Sequence, residues 1–265
     1  MPALIATLLA SGALLAPATP PAQPSTFHAR LTRLERAPPH GGSWAHGSVT
    51  IGHSLEGRPI DLREWGADRS GQRILVFGCI HGTECAASAI PGFVSGCPTT
   101  GSVFYVPNLN PDGSASGTRL NGRGVDLNRN FPAGWQPLGT RWDLQYSGPR
   151  PFSEPETRLA ARLIRAIRPD VTIWFHQEAE PMVRAWGPSV PMGRAFARQL
   201  RLTPTPLPFR RLPWLAGTAP NWQNHEFPGT ASFVAELPMG PLSAASADAI
   251  GAAVARLSGP RPRDL

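Results

Sequence analysis

His81 and Glu84 stand three residues apart in Cys79-Ile-His-Gly-Thr-Glu-Cys85, directly after the apolar run Arg73-Ile-Leu-Val-Phe-Gly78. An imidazole nitrogen and a carboxylate oxygen are both good zinc ligands, and a turn just past a strand can aim them at one point. The spacing alone is a weak signal, because it recurs at His53-Ser-Leu-Glu56. That copy is followed by Gly57, has no strand or helix end to organise it, and reads as an exposed turn. Catalytic zinc takes three protein ligands and leaves a position open for water. His176 is the natural third, since it closes the apolar run Val171-Thr-Ile-Trp-Phe175 and precedes Gln177. A lone histidine in that place is otherwise a hydrogen-bonded core residue. His28, His40, His46 and His225 sit among Gly, Pro or Asn and read as surface residues.

Asn108-Leu-Asn110-Pro-Asp-Gly113 is a turn-rich segment after a second apolar run, Val103-Phe-Tyr-Val106. It leads through Gly117-Thr-Arg119 to Gly124-Val-Asp126-Leu-Asn128-Arg129-Asn130-Phe131. Two arginines beside amides suit the grip of a carboxylate or an oxyanion. Asp126 is either an acceptor that orients a ligand histidine or a turn residue. Glu236 lies in Phe233-Val-Ala-Glu-Leu237, a carboxylate inside an apolar strand. Burial there demands a charge partner or a catalytic task; an edge-strand glutamate facing solvent is the alternative. Beside zinc, Glu236 can take a proton from water and pass it to a leaving amine.

The elements that must position these groups alternate. Short apolar runs at 73–78, 103–106, 171–175 and 231–237 predict buried strands. Between the first two, Glu84 to Val94 predicts a short helix ending near Pro91-Gly92. Ser153-Glu-Pro-Glu156 predicts a capping box opening a helix whose apolar face is Leu159, Leu163, Ile164 and Ile167, stopped at Arg168-Pro-Asp170. Ser189 to Leu202 predicts another helix. Strands alternating with helices imply an α/β fold, a mixed, mainly parallel twisted sheet with helices on both faces. Ligands in such sheets gather beyond the carboxyl ends of the strands, where His81 and His176 fall.

The chain has 265 residues, of which 41% are hydrophobic and 16% charged, enough for one sizeable core and short for two domains. Its +7 net charge comes from arginine alone, with no lysine. The arginines are scattered without interleaved aromatics, so nucleic acid is not an expected partner. Residues 1–18 read as a cleaved signal peptide, short for a membrane span and ending in Ala16-Pro17-Ala18; a membrane anchor or a misassigned start is the alternative. A Pro-rich linker follows over 19–43, then one catalytic domain over 44–258, opening near Trp44, and a tail over 259–265. A secreted or cell-envelope monomer, without stable membrane insertion, is expected. Cys79, Cys85 and Cys97 allow one disulfide and one free thiol, with pairing undetermined, or buried small apolar side chains. No C-x-x-C argues against thiolate-bound zinc, and no G-x-S-x-G points to a serine nucleophile.

Taken in order, these motifs, opened by Ile51-Gly-His-Ser-Leu-Glu-Gly-Arg-Pro-Ile60, resemble the carboxypeptidase A-like zinc metallocarboxypeptidases from about residue 45 to residue 240. The short stretch between Arg119 and Asn128 looks most like the bacterial murein peptide amidases, which cleave the γ-D-glutamyl–diaminopimelate bond. By that resemblance one Zn2+ per chain is held by His81, Glu84 and His176. Glu236 is the general base for a zinc-bound water, and Arg119 polarises the scissile carbonyl and stabilises its oxyanion. Asn128 and Arg129 hold the α-carboxylate of the departing residue, and the partner is a peptide, in this reading a cell-wall muropeptide. The sequence departs from the digestive members in lacking a tyrosine between Arg211 and Trp222, where Trp214 or Trp222 would wall the pocket or simply pack. Gln177, Glu178 and Glu180 are placed to meet an ammonium group. Two rivals remain at this level: an acylase of the succinylglutamate desuccinylase or aspartoacylase type, and a wall-binding protein without turnover.

Overall fold

The computed structural model describes residues 48–66, 71–90, 101–211, 213 and 215–260. The expected leader, linker and domain start at Trp44 lie outside these residues, as do Cys97 and Trp214. Among the described residues there are eight strands: β1 (Val49–His53), β2 (Pro59–Trp65), β3 (Arg73–Phe77), β4 (Ser102–Val106), β5 (Val171–Gln177), β6 (Met182–Ala185), β7 (Phe209–Arg211) and β8 (Ala231–Leu237). Among the described residues five α-helices accompany them: α1 (Pro111–Ser116), α2 (Pro155–Ile167), α3 (Val190–Leu200), α4 (Ala219–Glu226) and α5 (Ala244–Leu257). The strands form one sheet in the order β1-β2-β4-β3-β5-β8-β6-β7. Its centre, from β4 through β3 and β5 to β8, is parallel. Antiparallel pairings join β1 to β2, β2 to β4 and β6 to β8.

Side chains alternate across a strand, so each central strand feeds two cores. Ile74 and Val76 pack with Phe196 of α3 and Val254 of α5 on one face. Leu75 and Phe77 pack with Leu163 of α2 and Trp222 of α4 on the other. Phe77 stacks on Trp174 of the adjacent strand with centroids 4.2 Å apart, and burying a phenylalanine this fully stabilises by about 1.5–3 kcal/mol. The expected mixed sheet with helices on both faces is what the chain adopts.

Three local expectations differ. Of the helix expected from Glu84 to Val94, the described residues form a 3-10 turn at 86–89, just after the disulfide-bonded Cys85, and residues 91–94 lie outside them. Ser153 does not cap α2, whose N-cap is Glu154 without a side-chain hydrogen bond. The Ser153 hydroxyl donates instead to Glu154 and accepts from Asn130. The Asn-Pro-Asp-Gly segment is not merely a turn but the start of α1, capped by Asn110, whose side chain accepts from Gly113 N–H at 3.0 Å. The α2 apolar face and its stop at Arg168, in the left-handed conformation, are as expected. Among the described residues no helix is long and apolar enough to cross a membrane.

Candidate active site

The turn after β3 carries His81 and Glu84, and its shape is fixed by its neighbours. Gly82 lies against the backbone of Gly113, Ser114 and Thr118, so close that a β-carbon would collide with main chain. That contact explains Gly82, whereas a β-carbon on Gly113 would meet the Leu120 carbonyl and the Asn110 side chain. Gly82 N–H donates to the Arg119 carbonyl at 3.2 Å, and the Asn110 amide reaches the Ile80 carbonyl at 3.2 Å. Cys79 adopts φ 52°, a left-handed conformation costly for a residue with a side chain. It is held by Asn110 N–H on its carbonyl and by the disulfide to Cys85, whose Cα atoms are 4.4 Å apart. The disulfide closes the loop that carries both His81 and Glu84.

His176 leaves the end of β5 toward the same point. His81 Nδ1 and His176 Nδ1 are 3.1 Å apart, and Glu84 Oε2 lies 2.9 Å from the first and 2.8 Å from the second. Ligands about 2.0–2.1 Å from a tetrahedral zinc lie about 3.3 Å from one another. This triangle is therefore close to a coordination face, and these three form a His/Glu cluster fit to hold a metal ion. Burial opposes charge on Glu84, yet hydrogen bonds from His176 and His81 outweigh it and hold its pKa far below the usual carboxylate range. For His81, burial likewise opposes protonation, while Asp126 and Glu84 raise its pKa.

Asp126 is fully buried and takes four contacts. Its Oδ1 lies 3.1 Å from His81 Nε2 and accepts from Asn128 N–H at 2.9 Å. Its Oδ2 accepts from Arg119 Nε and Nη2 at 3.2 and 3.1 Å. Burial opposes its charge, but His81 and the two arginines hold its pKa well below normal. Of the two readings of Asp126, the ligand-orienting one matches this geometry: a carboxylate on Nε2 leaves Nδ1 free to face a metal. Asp126→Asn is expected to weaken zinc affinity by about 10–100-fold, measured by competition with a chromogenic chelator; unchanged affinity would reduce Asp126 to a turn residue.

Glu236 sits beside His176 because β5 and β8 run parallel with those two residues in register. Strand β8 is internal, between β5 and β6, so the solvent-facing edge alternative does not hold. Arg119 Nη1 bonds Glu84 Oε1 at 2.7 Å. Arg129 Nη1 donates to the Asn128 carbonyl at 2.9 Å. The Asn128 side chain lies 3.3 Å from His176 Nε2 and accepts from Ala219 N–H at 3.0 Å, so it braces the histidine as well as facing the cavity.

His81, Glu84, Arg119, Asn128, Arg129, His176 and Glu236 all line one cavity of about 160 Å3, several times the roughly 30 Å3 share of one water. Glu178 lines it too, whereas Glu180 is exposed and near Arg210. The Gln177 amide is committed to Ala86 N–H and to the Pro238 and Gly240 carbonyls, so it does not meet an ammonium group. Trp222 is core, packed against Phe131. The second His-x-x-Glu, contrary to expectation, does start at a strand end, His53 closing β1, with Ser54 buried; His53 and Glu56 are themselves exposed, and Glu56 pairs with Arg58. Arg184, Trp186, Thr218 and Val234 also line the cavity. No motif marked them, since β6 is four residues long and Arg184 reaches the site only through its pairing with β8.

Residues 100–230 match the family model described as zinc carboxypeptidase. That segment holds Arg119, Asn128, Arg129 and His176; His81, Glu84 and Glu236 flank it and join it through the sheet. The chain is 33% identical over 154 residues to murein peptide amidase A of Escherichia coli K12, covering 51% of this chain and 61% of the relative. It is 29% identical over 170 residues to carboxypeptidase B of Astacus astacus, covering 52% and 56%. The matches thus span a little over half of the curated relatives' lengths. The crystal structure of murein-tripeptide amidase from Escherichia coli O157 superposes with a TM-score of 0.62 at 26% identity, covering 86% of this chain and 96% of that one.

Proposed function

We propose that the chain is a zinc carboxypeptidase-type hydrolase that cleaves the C-terminal amide of peptides, with the γ-D-glutamyl–diaminopimelate bond of murein peptides as substrate; the match of residues 100–230 to the zinc carboxypeptidase model supports this reading. One observation carries the reading: the three donor atoms of His81, Glu84 and His176 converge beside Glu236, in a cavity that also holds Arg119 and Arg129. A serine or cysteine nucleophile is not needed by such a site.

Zinc held by the three ligands supplies Lewis-acid polarisation and lowers the pKa of water. The chain's own groups do the rest. Glu236 accepts a proton from the attacking water and returns it to the leaving nitrogen. The Arg119 guanidinium, fixed by Glu84 and Asp126, stands ready for the negative charge that develops on the scissile carbonyl oxygen. Arg129 and Asn128 take the free α-carboxylate of the departing residue, which sets the reaction at a chain end. The Cys79–Cys85 disulfide supports action outside a reducing compartment, in the cell envelope or beyond it.

The murein assignment draws on the likeness to murein peptide amidase A. Its test is release of diaminopimelate from L-Ala-γ-D-Glu-diaminopimelate by the zinc-loaded protein, followed by mass spectrometry beside a panel of ordinary C-terminal peptides. Release from the tripeptide in preference to the panel is the expected result. Trimming of ordinary peptides alone would keep the chemistry and overturn the substrate.

A further inference from the structure

Three guanidinium groups face the cavity, and two are already engaged. Arg119 is held by Glu84 and Asp126, and Arg129 by the Asn128 carbonyl. The third, Arg184, comes from β6. In the antiparallel β6–β8 register Arg184 lies opposite Val234 and Met182 opposite Glu236. Side chains alternate across a strand, so Arg184, Val234 and Glu236 share one face. Val234 precedes Glu236 by two residues, which places Arg184 one step inward from the reacting end of β8.

Val234, opposite it on β8, and Trp186, Thr218 and Pro220 line the same cavity. The start of α4 brings that wall up to Asn128, whose side chain accepts from Ala219 N–H. Arg184 thus shares one cavity with Asn128 and Arg129, the pair proposed to hold the α-carboxylate of the departing residue.

The charge state of Arg184 in this pocket is under-used. Its Nη1 approaches Glu236 Oε1 at 3.4 Å, an ion-pair distance. Its Nε is buried and has no hydrogen-bond partner. An arginine presents five donors in a planar fork suited to a carboxylate, and a buried donor left unmade is costly. A ligand that brings a carboxylate to this point satisfies the fork and leaves Glu236 free for its proton.

We infer that Arg184 is a specificity residue, selecting a departing residue whose side chain ends in a carboxylate. This rests on the proposed function, and it explains the choice of departing residue: diaminopimelate is lysine with an added carboxylate on its distal carbon. The distal ammonium then faces Glu178, which lines the same cavity.

The test uses two tripeptides that differ by that carboxylate, L-Ala-γ-D-Glu-meso-diaminopimelate and L-Ala-γ-D-Glu-L-lysine. Both are given to the zinc-loaded full chain and to its Arg184→Met and Arg184→Lys variants. Wild type is expected to favour the diaminopimelate peptide in kcat/KM by at least about tenfold, the scale of one charge-assisted contact. Arg184→Met loses that preference and Arg184→Lys keeps part of it. Calorimetric binding of free meso-diaminopimelate and of L-lysine repeats the comparison without turnover, and thermal melting checks that each variant is folded.

If Arg184→Met slows both tripeptides equally and the preference stays, the inference is overturned and Arg184 serves Glu236 alone. If wild type cleaves neither tripeptide, the murein reading falls, and the binding arm still decides Arg184. A preference for free diaminopimelate that vanishes in Arg184→Met supports it; the absence of any preference in wild type overturns it.

Discussion

Replacing Glu236 by Gln is expected to lower kcat by about 10²–10⁴-fold, the range found when a general base is removed. The substitution is nearly isosteric, so β8 keeps its register against β5 and His176 keeps its neighbour. What is lost is the capacity to hold a proton between water and leaving amine. The ion pair with Arg184 is lost too. Metal content, melting temperature and KM should stay close to wild type while turnover collapses. A variant that retained more than about a tenth of wild-type kcat would remove Glu236 from the role of base.

The second large effect is expected at His176. Its imidazole meets Glu84 at 2.8 Å and His81 at 3.1 Å, so His176→Ala takes one apex from the triangle. The change should exceed the roughly 10–100-fold that accompanies loss of a group behind a ligand. Zinc is expected to fall from one per chain to background after dialysis against a mild chelator, with loss of all hydrolysis. A ligand that binds only the folded state raises its stability by mass action. Added zinc should therefore raise the melting temperature of wild type and leave that of His176→Ala unmoved. A variant that still took up one zinc and still gained stability from it would show that the ion sits elsewhere.

The central strands were legible because parallel strands, covered on both faces, read as continuous apolar runs. Arg73-Ile-Leu-Val-Phe77 and Val171-Thr-Ile-Trp-Phe175 stand out for that reason, and the histidines just past them could be placed at the strand ends. Strands β1 and β2 were less visible, since an outer pair mixes buried Ile60 and Leu62 with half-exposed Asp61 and Arg63. Helix α5 is built largely of alanine, which gives little contrast between its faces.

At the site, the His-x-x-Glu motif occurs twice, and chemistry alone could not choose between the copies; position did, because one follows β3 at the sheet's centre and the other joins β1 to β2 at its rim. Arg184 was out of reach of any such argument. Its place depends on which strand lies beside β8 and in what register, a long-range fact that four residues of β6 do not encode. The disulfide was likewise undetermined, since three cysteines offer three pairings.

The parallel centre of the sheet also decides when the site comes into being. His81 meets His176 across 95 positions of chain, and Glu236 joins them only through the β5–β8 register. Each such closure has an entropic cost before any contact rewards it, and topologies rich in distant pairings fold slowly. A growing chain can bring the ends of β3 and β5 together early, but Glu236 takes its place beside His176 only once β8 has emerged and docked. A fragment ending before β8 is expected to keep the His81, Glu84 and His176 triangle within reach yet to lack Glu236, separating metal binding from turnover.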